Sequence, residues 1–175
     1  MKRILLAAAF SLLAALPSTA FQRLAVGDSV ADFSLVGFKG EIVHLADVKG
    51  RKATVIVFWA TWSPRSLDAL ADLQKLFKER GPDDLRVIAV NEEHESWEAG
   101  EFERVSEYVG KLGLTFSVVA DLDLSLYEKY GVSVLPSLVV LDAEGRVLAT
   151  LTSYPEHLRA DFYEQVLRPL GPPPG

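Results

Sequence analysis

Phe58-Trp59-Ala60-Thr61-Trp62-Ser63-Pro64-Arg65-Ser66 is the stretch on which the reading of this chain turns. It is entered from Ala53 to Trp59, a nearly continuous apolar run rich in β-branched residues, the pattern of a strand buried on both faces. Ser63-Pro64 then opens a helix, because serine caps well and proline suits the first helical position. Leu67, Leu70, Leu73, Leu76 and Phe77 recur at helical spacing until Gly81-Pro82 stops them.

The same alternation of strand and helix continues downstream. Leu85 to Val90 reads as a second buried strand, and Phe102, Val105, Tyr108, Val109 and Leu112 mark a helix that ends near Gly113. Phe116 to Ala120 is a third strand, followed by a short helix over about Leu124 to Tyr130 that stops at Gly131. Leu138 to Leu141 and Val147 to Leu151 are strands joined by the tight-turn sequence Asp142-Ala143-Glu144-Gly145. Leu158, Phe162, Val166 and Leu170 mark a last helix, and Pro172-Pro173-Pro174 reads as a disordered tail over 171–175. Upstream, Phe33-Ser34-Leu35 and Ile42-Val43-His44-Leu45, with Gly37 and Gly40 between them, read as an N-terminal hairpin. The pattern predicts an α/β fold, a mixed sheet with helices on both faces.

The 175-residue chain suggests one domain, over 21–170, behind a signal peptide at 1–20. Lys2 and Arg3 form a positive n-region, Ile4 to Leu16 an apolar h-region, and Ser18-Thr19-Ala20 supplies small residues for cleavage after Ala20. The apolar run is shorter than the roughly 20 residues that span a bilayer. An uncleaved anchor is the alternative, and no cysteine follows the run to carry a lipid. The expected location is periplasmic or secreted, without a stable membrane anchor after cleavage. The 18 basic and 24 acidic residues give −6, and without Lys2 and Arg3 the balance is −8, which argues against nucleic acid or anionic lipid as partner. The cysteine count is zero, which excludes thiolate nucleophiles, thiolate metal ligands and cysteine-held iron–sulfur clusters. No cofactor is expected.

Five motifs add a resemblance. Val26-Gly27-Asp28 with Ala31-Asp32-Phe33, the Phe58–Trp62 stretch, Val87-Ile88-Ala89-Val90-Asn91, Tyr130-Gly131-Val132 leading to Leu135-Pro136-Ser137, and Leu141-Asp142-Ala143-Glu144-Gly145-Arg146-Val147 follow one another over about residues 26–168. In this order they resemble the redoxin domains of the thioredoxin superfamily. The chain is similar to exported proteins of the TlpA/ResA type, a group that shares the AhpC/TSA-redoxin signature. The resemblance implies a thioredoxin-like sheet, a dithiol at the helix start and a cis-proline loop at Pro136. In such relatives the helix N-terminus stabilises a thiolate that attacks a disulfide, and a second cysteine resolves the mixed species.

Here Ser63 and Ser66 stand at both cysteine positions, so dithiol exchange is chemically impossible. Val57, Ala69 and Ala71 also depart from the Asn or Asp, Glu and Pro common in relatives. An engineered pair of Cys→Ser changes would leave those neighbours intact, so natural loss of redox function is favoured over engineering.

Each remaining candidate has a bland and a functional reading. Ser63 reads as a helix cap, and Ser66 as a first-turn hydroxyl bonded locally or to solvent. A serine nucleophile would need a base, for which His44 and His94 are the candidates. Arg65 is a solvated side chain or a contact for an acidic partner. Trp62 is a half-buried aromatic or part of a binding surface. Pro136 is a retained structural loop, or it sets Leu135 beside Trp62 so that the backbone pairs with an extended peptide. The run Glu92-Glu93-His94-Glu95-Ser96-Trp97-Glu98 is a solvated loop or a metal-binding segment. His157 reads as an exposed residue near a helix start. The favoured function is a non-catalytic module that holds a peptide or a periplasmic protein through Trp62, Ser63, Arg65, Leu135 and Pro136. The alternative implied by the resemblance is a thiol-disulfide oxidoreductase or peroxidase.

Overall fold

In chain order the elements are β1 (Ser34–Gly37), β2 (Ile42–His44), α1 (Leu45–Val48), β3 (Ala53–Trp59), α2 (Pro64–Arg80), β4 (Leu85–Asn91), α3 (Glu101–Lys111), β5 (Ser117–Ala120), α4 (Ser125–Tyr130), β6 (Ser137–Leu141), β7 (Val147–Thr152) and α5 (Glu156–Leu170). The structure is a computed structural model that describes residues 24–30, 32–38, 40–93 and 100–172. The expected signal peptide, His94 with the rest of the acidic run to Glu98, and residues 173–175 of the expected tail lie outside the described residues.

The strands form one seven-stranded sheet in the order β2-β1-β5-β4-β3-β6-β7. β3, β4 and β5 run parallel, while β6, β7, β1 and β2 pair antiparallel with their neighbours. Every residue of β3 is buried, as the unbroken apolar run requires of a strand covered on both faces. Its alternation divides the core. Val55, Val57 and Trp59 face α2, α3 and α5 on one side. Ile56 and Phe58 face α4, with Leu126, Tyr127 and Tyr130, on the other. The sheet is thioredoxin-like and mixed, with helices on both faces.

Helix α2 buries Ala69, Leu70, Leu73, Leu76 and Phe77 against this sheet, and each large apolar side chain fully buried there contributes about 1.5–3 kcal/mol. Gly81 ends the helix at φ 79°, a left-handed conformation open to glycine, and its N–H returns to the Phe77 carbonyl at 3.0 Å. One expectation is corrected at the hairpin. The second strand stops at His44, and Leu45–Val48 forms the one-turn helix α1. Leu45 is buried in the α4-side core, and its N–H still donates to the Phe33 carbonyl at 3.1 Å, one rung beyond the strand.

Candidate functional site

The parallel strands deliver their carboxyl ends to one side of the sheet, the side on which open α/β sheets bind ligands. Trp59 pairs with Asn91 at the ends of β3 and β4, and Ser137 at the start of β6 pairs with Phe58. The ladder of β3 with β6 ends at this pair, so the turn that follows Trp59 and the proline loop that precedes Ser137 leave the sheet at the same end. The turn at Thr61–Ser63, the start of the acidic run and the proline loop therefore meet at one end of the molecule.

Ser63 is the N-cap of α2. It is buried, its φ is −100° and ψ 103°, and its Oγ accepts from the Ser66 N–H at 3.3 Å. Pro64 takes the first helical position, where its missing N–H has no intrahelical use. Arg65 follows on the exposed side, at the positive end of the helix dipole. Ser66 corrects an expectation. It has no exposed surface, and its Oγ has neither a local partner nor solvent. It lies in line with Leu70, Leu73 and Phe77 along the buried stripe of α2. Val57 and Ala69 are both fully buried in the core cluster that α2 forms with the sheet.

Trp62 stands apart from the core at 65% exposure, which corrects its reading as a half-buried packing residue. Leu135 packs its half-buried side chain against the α4-side core. Pro136 is buried, and the Leu135–Pro136 peptide bond is cis. The loop is held by the Ser137 hydroxyl donating to the Val134 carbonyl at 2.6 Å and by the Ser153 N–H donating to the Pro136 carbonyl at 2.8 Å. Among the described residues the Leu135 N–H and carbonyl make no hydrogen bond. Val134 beside it is 39% exposed. A cleft of about 510 Å³ opens next to this loop, lined by Gly131, Val132 and Ser133 together with Tyr127, Leu124, Glu92 and Glu128.

Of the two candidate bases for a serine nucleophile, the geometry removes His44. His44 is exposed on the edge strand β2, four strand spacings from β3, or roughly 19 Å at about 4.8 Å each. His157 is exposed on α5, and His94 lies outside the described residues. No base is hydrogen-bonded to Ser63 among the described residues. Nor, among the described residues, do three His, Asp or Glu side chains converge to hold a metal ion.

Several residues that brace the site escaped the sequence reading. The Tyr127 hydroxyl is directed at the carbonyls of Val90 and Trp59, at 3.1 and 3.3 Å. Burial pushes that phenol well above its ordinary range. Asp121 accepts from the N–H groups of Leu126 and Tyr127, each at 2.9 Å, and so orders the start of α4. Burial raises its carboxyl above the ordinary value, and those two backbone bonds oppose the rise. Glu93 accepts from the N–H and the hydroxyl of Thr61. The signal for Glu93 was present in the spacing: it lies two residues past the strand that pairs with β3.

Comparison with known proteins places these features. The thiol-disulfide oxidoreductase ResA of Halalkalibacterium halodurans is 26% identical over 82% of this chain and 77% of its own. A putative thiol:disulfide interchange protein DsbE from Chlorobium tepidum superposes with a TM-score of 0.69 at 25% identity, over 85% of this chain and 99% of that one. The pneumococcal exposed lipoprotein thioredoxin Etrx1 of Streptococcus pneumoniae superposes with a TM-score of 0.58 at 31% identity, over 80% and 98%. Residues 26–150 match the AhpC/TSA family. With that match over more than half of its length and a sheet that superposes on these structures, the chain belongs to the AhpC/TSA family, and it does so without a cysteine.

Proposed function

We propose that this protein is an exported, non-catalytic member of its family that holds an extended segment of a partner polypeptide in the groove between Trp62 and Leu135. The observation that carries the reading is the Leu135 backbone, whose N–H and carbonyl are unused among the described residues, at the end of the sheet where an exposed tryptophan precedes a helix start without thiols. An extended chain gains affinity from backbone pairing and selectivity from side-chain contacts, and neither needs sulfur. Trp62 and Val134 supply apolar contact, Arg65 an exposed charge, and the cleft beside Ser133 space for a further side chain. Export is supported by the Lys2-Arg3 and Ile4–Leu16 pattern and by a relative described as an exposed lipoprotein. The relatives' names favour thiol-disulfide exchange as the rival, but that reaction requires a thiolate this chain cannot form.

The test is the affinity of the purified protein for an unfolded polypeptide, fluorescein-labelled ribonuclease that has been reduced and carbamidomethylated. Trp62→Ala and Leu135→Pro, which deletes the unused N–H, are expected each to weaken binding about tenfold, the loss of roughly 1.4 kcal/mol. Equal binding by both folded variants and the unmodified protein would sink the reading.

A further inference from the structure

Glu93 lies two residues past the end of β4, in a run that reads as a solvated acidic loop. Its surroundings are different. One carboxylate oxygen accepts from the Thr61 N–H at 3.1 Å and from Asn91 Nδ2 at 2.8 Å, and the other accepts from the Thr61 hydroxyl. The Glu93 N–H in turn donates to Asn91 Oδ1 at 3.1 Å. Asn91 is fixed by its pairing with Trp59 and directs Nδ2 at the Trp59 carbonyl at 3.5 Å. The Glu92 N–H donates to that carbonyl at 3.3 Å.

Both oxygens of Glu93 are thus committed to the segment that leaves β3. Thr61 is buried, and the next residue is Trp62, whose ring stands mostly in solvent and anchors nothing by its own burial. After Trp62, Ser63 enters the helix and its N–H donates to the Ala60 carbonyl at 3.3 Å. The turn that presents Trp62 is therefore tied on its far side by the helix cap and on its near side by one carboxylate. Hydrogen bonds to a carboxylate are roughly twice as strong as neutral ones, so this tie is the stronger of the two.

We infer that Glu93 is a positioning residue of the groove: it holds the Ala60–Ser63 turn so that Trp62 is already placed opposite the Leu135 backbone. The inference rests on the groove reading and deepens it. A turn ordered before binding spares the complex the entropy of ordering it. Loss of Glu93 then leaves the fold in place and moves that ordering into the binding step.

The experiment uses the labelled ribonuclease probe together with amide hydrogen exchange, on Glu93→Ala, Glu93→Gln and Thr61→Val. Glu93→Ala is expected to weaken binding about tenfold and to speed exchange at Thr61 and Trp62, with protection in β3 and α2 unchanged. Glu93→Gln keeps one acceptor for Thr61 and recovers part of both effects. Thr61→Val, which removes only the hydroxyl, gives a smaller loss of the same kind. A Glu93→Ala protein that binds like the unmodified one, while Trp62→Ala does not, overturns the positioning role and spares the groove. If neither Trp62→Ala nor Leu135→Pro affects binding the groove reading falls, and unchanged exchange at Thr61 in Glu93→Ala still overturns the positioning role separately.

Discussion

At Ser66 a hydroxyl is buried beside apolar side chains and lacks any hydrogen-bond partner. A buried polar group in that condition costs about 1–3 kcal/mol. Ser66→Ala is therefore expected to raise stability by about 1 kcal/mol, read as a higher urea midpoint at unchanged slope. Three residues earlier the sign reverses. Ser63 caps the helix through the Ser66 N–H, and Ser63→Ala is expected to lower stability by about 0.5–1 kcal/mol in the same measurement. These two serines also define what the site cannot do. The unmodified protein is expected to leave insulin disulfides intact in a turbidity assay. Ser63→Cys with Ser66→Cys places two cysteines whose Cα atoms lie about 5–6 Å apart by helix geometry, within the Cα separation that a disulfide bridges, and mass spectrometry after oxidation would reveal the bond. Turnover by that variant is expected to stay weak, because the buried Val57 and Ala69 near the site are apolar and cannot carry a proton. The depth of Ser66 was legible in principle. It falls four residues before Leu70 and seven before Leu73, on the apolar stripe itself. A first-turn serine suggests capping or solvent, and that local preference masked the position.

Among the elements, α4 depends on a buried acid. Asp121 has no exposed surface, and burial raises its carboxyl above the ordinary 3.8. The native state therefore holds this proton more tightly than the unfolded chain does. The stability contributed by protonated Asp121 is fully present below 3.8 and is lost as pH rises through the raised value. Asp121→Asn is expected to remove that part of the pH dependence, seen by comparing unfolding midpoints from pH 4 to 7. Strands β3 and β4 were readable at almost their full extent because a strand buried on both faces writes a continuous apolar run. The short helix α1 was not, since four residues cannot display a 3.6-residue period and Leu45 continues the alternation of β2. Glu93 lay hidden for a different reason. Charge in a run reads as solvated, and only the parallel register of β3 with β4 reveals that this side chain falls beside Thr61.

The whole molecule is closed by its C-terminal helix. Phe162, Val166 and Leu170 of α5 join α2 in the core on one face of the sheet. Tyr154 donates to Asp72 Oδ2 at 3.1 Å, packs edge-on to Phe162 at 5.9 Å between ring centroids, and lies under the Arg159 guanidinium at 5.1 Å. Burial drives the neighbouring Tyr163 phenol up to about 12. Phe162→Ala is expected to cost about 3–5 kcal/mol, a large share of the roughly 5–15 kcal/mol that holds a domain of this kind, and a urea titration would show it. The sheet order was the part of the fold that periodicity could not supply. Alternating strands and helices predict a mixed α/β sheet, but the joining of the N-terminal hairpin to β5 through β1 is a long-range pairing with no local signature. Relatives with a dithiol at the start of this helix have two covalent forms of that surface, and electrons decide between them. This chain has one form only. A segment held in the proposed groove would be retained or released without any thiol step, so a titration in the presence of dithiothreitol and one in the presence of oxidised glutathione are expected to trace the same curve.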